Sequence, residues 1–258
     1  MRRLSATLAS VGLLACACAT TEPAGPLLTL EPVGDFKLEY SGEIGAAGLD
    51  NELPPYTAFE GEADYAYAIE VRFLRARPEV AKRLFGQRCL EIGASTVPAS
   101  ALTPEIVSQA TLVSAPRLTV FEGQQGAIVI SNEIAYISGF GISGEGATRV
   151  ADPVVNTVLD GLLVGLHAVR ADGKGLRLSI DMTMAEVVRP IETQEVKLFG
   201  TTAQVQTPLV YSQRLKADGV VGEGKALVLT GMLGRDNDIY VVLITGRRVE
   251  LEEPPKDE

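Results

Sequence analysis

The strongest constraint on how this chain can fold lies in residues 111–140, TLVSAPRLTVFEGQQGAIVISNEIAYISGF. Residues 115–121 and 127–137 are rich in β-branched and aromatic side chains, the types that fit a pleated, half-buried surface. Glu122-Gly123-Gln124 between them supplies a turn glycine, and Ser138-Gly139 closes the second run. The pattern predicts two strands joined as a tight hairpin.

Strand patterns continue on both sides. Tyr65, Tyr67, Ile69, Val71 and Phe73 share one parity and Glu70 and Arg72 the other, which predicts a strand buried on one face. Residues 78–85 open with Pro78, carry Glu79 in the first turn and Lys82-Arg83 in the last, and stop at Gly86, matched signals for a short helix. A second short helix is predicted over 104–110 with Thr103 as cap. Farther upstream, 36–40 alternates as an isolated strand, and the Gly- and Pro-containing stretch 41–55 should end it.

After the predicted hairpin, 138–152 reads as a glycine-rich loop, followed by strands over 154–170, 176–187, 204–216, 225–233 and 239–249. Register can be argued for one pair. A two-residue turn at Asp172-Gly173 would set Leu162, Val164 and Leu166 against polar residues, whereas an odd-length loop sets Leu162, Val164, Leu166 and Ala168 against Leu178, Ile180, Met182 and Met184. A one-residue slip exchanges every side chain between faces, so the odd loop is favoured. The opposite face then carries Gly165, His167, Ser179 and Asp181. The last pair turns at 234–237, and the unbroken apolar run 240–244 predicts burial on both faces.

The chain starts Met1-Arg2-Arg3, runs apolar from Leu4 and reaches Leu13-Leu14-Ala15-Cys16, a secretory signal too short to span a membrane as a mature helix. The ending resembles a bacterial lipobox, which makes Cys16 the lipidated first residue. Cys18 is the alternative, and Ala17 after Cys16 implies the outer membrane. Residues 16–64 then read as tether and irregular N-terminal segment, with 20–32 the tether proper. Residues 250–258 read as a disordered acidic tail. Removing Arg2 and Arg3 leaves 21 basic residues against 33 acidic ones, a charge of −12 that argues against nucleic acid as partner. Cys89, left without a disulfide partner, is expected to be a small buried side chain.

No constellation of residues points to catalysis, a cofactor or a metal. Gly139, Gly141 and Gly144 fit a G-x-G-x-x-G spacing, but phosphate binding needs the glycines to open a helix, and Gly146 and Pro153 follow instead. Gly139, Gly141, Gly144 and Gly146 are read as a mobile gate or partner loop. His167, the one histidine, shares a face with Ser179 and Asp181, yet neither a nucleophile motif nor an oxyanion turn accompanies it. One histidine and Cys89 are too few for a zinc site. Asp236, Asp238 and the acids at 250–253 lack calcium-ligand spacing.

Several motifs together resemble the C-terminal β-domain of bacterial secretins, the outer-membrane pore proteins of type II and III secretion and of type IV pili. They are Ser114-Ala115-Pro116, Gly123-Gln124, Glu133-Ile134-Ala135-Tyr136, the strand 69–74 ahead of a helix, Asp160-Gly161-Leu162, the glycine-ended strand 225–231 and the final apolar strand 239–249. The resemblance covers residues 65–249. It implies a mainly β fold with two short helices (α+β), an antiparallel secretin-like domain, and a non-enzymatic, oligomerising outer-membrane component of protein secretion or of pilus or envelope assembly. Residues 232–238 are too short for a segment secretins usually carry there, Thr245-Gly246 replaces a Thr-Pro, and residues 16–64 leave no room for the family's periplasmic modules. Few aromatics and no Trp depart from the girdles of a membrane barrel. Two functions follow: a homo-oligomeric ring, or a monomeric lipid-tethered periplasmic module that binds another envelope protein and forms no pore.

Overall fold

The computed structural model describes residues 25–33, 36–45, 65–171, 175–234 and 236–250, so the signal segment, Cys16, Cys18 and residues 251–258 lie outside the described residues. The strands are β1 Glu31–Pro32, β2 Lys37–Gly45, β3 Tyr65–Ala76, β4 Gly93–Pro98, β5 Thr111–Ser114, β6 Arg117–Phe121, β7 Gln125–Ser143, β8 Val150–Ala171, β9 Gly175–Val187, β10 Glu192–Leu198, β11 Thr201–Thr207, β12 Val210–Gly222, β13 Lys225–Leu233 and β14 Ile239–Glu250. Two short helices, α1 Pro78–Phe85 and α2 Pro104–Val107, complete a mainly antiparallel β fold.

Two sheets pack face to face. The first runs β1-β4-β13-β14-β3-β5, with β6 also on β3, and the second runs β2-β12-β9-β8-β7. The main core lies between them: Tyr67, Ile69, Val71 and Phe73 of β3 and Tyr240, Val242 and Ile244 of β14 meet Leu162, Val164, Leu166, Leu178, Ile180, Met182 and Leu215. On its other face the first sheet buries Leu74, Val228, Val241 and Leu243 under Ala81, Leu84, Phe85 and Cys89. The first sheet is therefore sandwiched. That is why residues 240–244 have no polar position, and why Leu74 and Ala76 are buried as well as the predicted face of β3.

α1 forms where predicted. Pro78 stands at its first turn, and Gly86 at φ 75° closes it with its N–H on the Lys82 carbonyl. The second helix stops at Val107, short of the predicted 104–110, and Thr103 caps it without a side-chain hydrogen bond. The predicted register holds at every pair: Leu162 with Met184, Val164 with Met182, Leu166 with Ile180 and Ala168 with Leu178.

The predicted central hairpin does not form. Both strands and the turn exist, but β6 pairs with β3 in the first sheet and β7 pairs with β8 in the second. Residues 122–124 are the corner where the chain changes sheets, with the Glu122 N–H on the Tyr65 carbonyl and the Gly123 N–H on the Ala168 carbonyl. A Cβ on Gly126 would strike Val120 and Leu118, so the two strands lie face to face and not edge to edge.

Residues 138–152 are likewise not a loop. β7 runs to Ser143 and β8 starts at Val150, so only the tip at 144–149 turns. The predicted strand 204–216 is two strands broken at Pro208, and β10 and β11 form a small hairpin of their own. β2 is not isolated and continues as far as Gly45, five residues into the stretch expected to end it, pairing with β12 from Asp218 to Val210. Within the segment read as a tether, Leu28 is buried and its N–H bonds the Leu84 carbonyl.

Candidate functional site

Three contacts fix how the sheets are aligned. Leu176 lies where a Cβ on Gly246 would meet it, Tyr240 OH donates to Glu186 Oε2 (3.4 Å), and Gln213 Nε2 donates to the Leu233 carbonyl (2.7 Å). The strand ends around Glu186 and Val210 thus lie at the Leu233–Ile239 end of the first sheet. Beyond that end the β7–β8 hairpin continues past the strands of the first sheet, with β11 against β7.

At its base Ile134, Tyr136 and Val158 still pack with Leu163, Ala185, Val187 and Val210, and the part beyond the Ile137–Val155 pair enters none of the three cores. From Ile134 to Ser143, at roughly 3.4 Å per residue, the strand covers about 30 Å. Residues directly opposite share a face, and successive pairs alternate. A bulge between Ile137 and Gly139 shifts β7 by one residue. One face therefore carries Ala135 with Thr157, Ile137 with Val155, Phe140 with Pro153 and Ile142 with Ala151. It bears no charge, and Ile142 and Val155 are each more than half exposed. The opposite face pairs Tyr136 with Asn156, Gly139 with Val154, Gly141 with Asp152 and Ser143 with Val150. The ribbon is unevenly amphipathic: one face is an uncharged apolar stripe, and the other mixes Asn156, Asp152, Ser143 and two glycines with Tyr136, Val154 and Val150.

The four glycines of the anticipated gate separate here. Gly139 and Gly141 are strand residues on the polar face, while Gly144 (φ 80°) and Gly146 (φ 58°) make the turn at the tip. A Cβ on Gly144 would collide with the Thr148 carbonyl, so the turn requires glycine there. These glycines open no α-helix, only the single 3-10 turn Gly146–Thr148. The β10–β11 hairpin, which the sequence reading missed, lies beside β7, and Gln206 Oε1 accepts the Ile137 N–H at the bulge (2.9 Å). Its strands are mostly polar, and the only cues are Pro190, Pro208 and the turn Phe199-Gly200.

The second feature is a charged ladder on the outer face of the second sheet. Reading across β7, β8, β9, β12 and β2, one row is Gln125, His167, Ser179, Asp218 and Lys37. The next is Ala127, Gly165, Asp181, Lys216 and Glu39. All of these but Ala127 line a cleft of about 450 Å³. Arg214 grips Asp181 with two hydrogen bonds (2.9 and 2.6 Å), and Lys216 Nζ stands 3.8 Å from the same carboxylate. Ser179 and Arg177 both donate to Asp218, which holds its carboxyl below the ordinary range.

The face is the predicted one, but its hydrogen bonds are not those of a relay. The Ser179 hydroxyl is spent on Asp218, and His167 Nε2 donates to the Gly123 carbonyl (3.1 Å) at the corner between the sheets. Among the described residues no group of three or more His, Cys, Asp or Glu side chains could hold a metal ion. No described helix is long and apolar enough to cross a membrane. Cys89 is buried, and burial pushes its thiol up, away from the reactive thiolate.

No family model and no curated protein matches the chain. Among solved structures it is similar to the secretin domain β-barrel of InvG from the Salmonella SPI-1 injectisome, at 9% identity and a TM-score of 0.26, over 74% of this chain and 64% of that one. It is also similar to the type IV competence pilus secretin PilQ of V. cholerae, at 11% identity and a TM-score of 0.23, over 72% of this chain and 57% of that one. The chain spans less than two thirds of the length of either.

Proposed function

We propose that the protein is a non-enzymatic cell-envelope lipoprotein with a secretin-like domain, an oligomerising outer-membrane component of protein secretion or of pilus or envelope assembly. The observation that carries this reading is the amphipathic β7–β8 ribbon on an open-edged antiparallel sheet. From Ile134 to its tip the ribbon is about 30 Å long, the thickness of a bilayer's hydrocarbon core, with Ile134 and Tyr136 at its base packed on the sandwich. Nine residues of β7 beyond Ile134 and the matching part of β8 are the length of a tilted membrane-crossing strand. An apolar stripe of seven side chains in water carries a standing cost, which lipid removes. Gly139, Gly141, Asp152 and Asn156 on the other face suit a watery lumen.

Two strands cannot cross lipid alone, because their outer backbone groups would stay unpaired. Closure with neighbouring copies satisfies them and abolishes the sheet edges. The charged ladder higher on the same sheet suits an aqueous wall. Lipidation at Cys16 would hold the chain at the membrane the ribbon enters, with the domain facing the periplasm and the tip at 144–149 as its gate or partner loop.

The test is the size of the lipidated protein extracted from its native membrane in mild detergent, with resistance to heating in detergent. A large, heat-resistant assembly is expected. A monomer would replace this reading with a lipid-tethered periplasmic module that binds another envelope protein.

A further inference from the structure

In the second sheet β7 and β9 run in one direction and β8 and β12 in the other, as antiparallel neighbours must. β2, antiparallel to β12, runs in the same direction as β7. Five strands therefore cannot close head to tail on a second copy with antiparallel pairing throughout, because β2 would meet the next β7 in parallel. The four strands β7, β8, β9 and β12 can, since β12 and β7 run oppositely. Closed bacterial barrels contain even numbers of antiparallel strands. The edge of β12 that this closure needs is the edge β2 covers.

β2 is held lightly for a strand making nine register pairs. Lys37, Glu39, Tyr40, Ser41, Gly42, Glu43 and Ile44 are all exposed, and Leu38 is only partly buried. Its anchors are the Phe36 ring, seated where a Cβ on Gly219 would collide with it, and the Tyr40 hydroxyl on Gln213 Oε1 (3.2 Å). β12 beneath it is an integral strand, with Val210, Leu215, Ala217 and Val221 buried. At the sheet's other end, the outer edge of β7 pairs with no strand among the described residues, and Val129 and Ile130 there are exposed. Ile128 and Ile130 lie on the core-facing parity that Leu38 and Tyr40 occupy in β2.

We infer that the β12 edge is the subunit-joining surface, that its partner is β7 of a second copy of this chain, and that β2 is a placeholder which pairs there until assembly displaces it. This rests on the ring reading above and adds which edge joins, in which direction, and what must leave first. The placeholder also keeps one sticky edge covered in the single chain.

The test uses the full lipidated protein in mild detergent. Glu43 and Ser212 are directly opposite in β2 and β12, so Glu43→Cys with Ser212→Cys gives a disulfide that locks the placeholder. The oxidised variant should stay small and should recover the parent's large assembly on reduction. Phe36→Ala, which removes the ring that holds β2 on Gly219 and leaves every β12 residue unchanged, should reach half-assembly at a several-fold lower concentration than the parent. Crosslinking of the reduced cysteine pair should succeed in the small species and fail in the large one. If the locked protein assembles as the parent does, the placeholder inference is overturned and the ring stands. If parent, reduced variant and Phe36→Ala all remain small, the ring reading falls and this inference falls with it.

Discussion

Gly231 shows how one residue can set the geometry of a strand. In sequence it resembles the end of a strand, yet β13 continues to Leu233, and Gly231 sits at φ 88° within a bulge between Leu229 and Met232. A Cβ there would strike the backbone of Glu91 and Ile92, and the bulge turns the buried Thr230 hydroxyl onto the Glu91 carbonyl (3.0 Å). Gly231→Ala combines a disfavoured φ with a backbone collision and should cost at least about 2 kcal/mol in chemical denaturation. An unchanged midpoint would show that the bulge relaxes freely. Asp218 makes a different prediction. Ser179 first, and Arg177 after it, favour its charged form, so its folded pKa lies below the unfolded value of about 3.9. Its contribution is present at pH above that unfolded value and fades as pH falls through the lowered folded one. Asp218→Asn should therefore weaken the fold at neutral pH and flatten the acid limb of stability below about pH 4. Parallel acid limbs for parent and variant would place the acid sensitivity elsewhere, with Glu70, lowered by Arg72, the next group to change.

At the scale of elements, legibility followed burial. The β8–β9 register could be read because Leu162, Val164, Leu166 and Ala168 on one side and Leu178 to Met184 on the other form an unbroken buried stripe, and only one loop parity aligns the two. The β6–β7 corner could not, since strand composition does not say which edge a strand will use, and a tight glycine turn serves a change of sheet as well as a hairpin. Residues 138–152 of the ribbon were read as loop because their glycines and serines have no core to alternate against. The same lack of burial hid the polar β10–β11 hairpin. The ribbon's apolar stripe is also where a substitution separates water from lipid. Val155 is 57% exposed in the single chain, so Val155→Arg should change its unfolding free energy in water by no more than about 0.5 kcal/mol. At the middle of a bilayer the same arginine costs about 2–4 kcal/mol. Reconstituted into vesicles, the parent ribbon should resist protease and the variant should be cut. Equal protection of both would mean that the stripe does not face lipid.

The molecule as a whole divides into a sandwich that stabilises itself and a ribbon that does not contribute to it. The two large cores draw on β3, β13 and β14 with the near halves of β7, β8, β9 and β12, and no residue from 131 to 157 enters either of them. The third cluster uses Ile134, Tyr136 and Val158, all on the near side of the Ile137–Val155 pair. Because Ile137 and Val155 are directly opposite, residues 138–154 can be replaced by a two-residue Asn-Gly turn, the loop length that joins paired strands with the right twist. All three cores survive this excision, so one cooperative thermal transition should remain, within about 1 kcal/mol of the parent, as expected where no buried group is removed. The excised protein should no longer enter bilayers, while the β12 edge and residues 125–133 of β7 are kept. Large assemblies that stay outside the membrane would then locate subunit joining in the upper sheet and insertion in the ribbon, two separable properties of one hairpin. Loss of the cooperative transition would instead make the ribbon part of the folding unit, and the membrane would no longer be needed to explain its length.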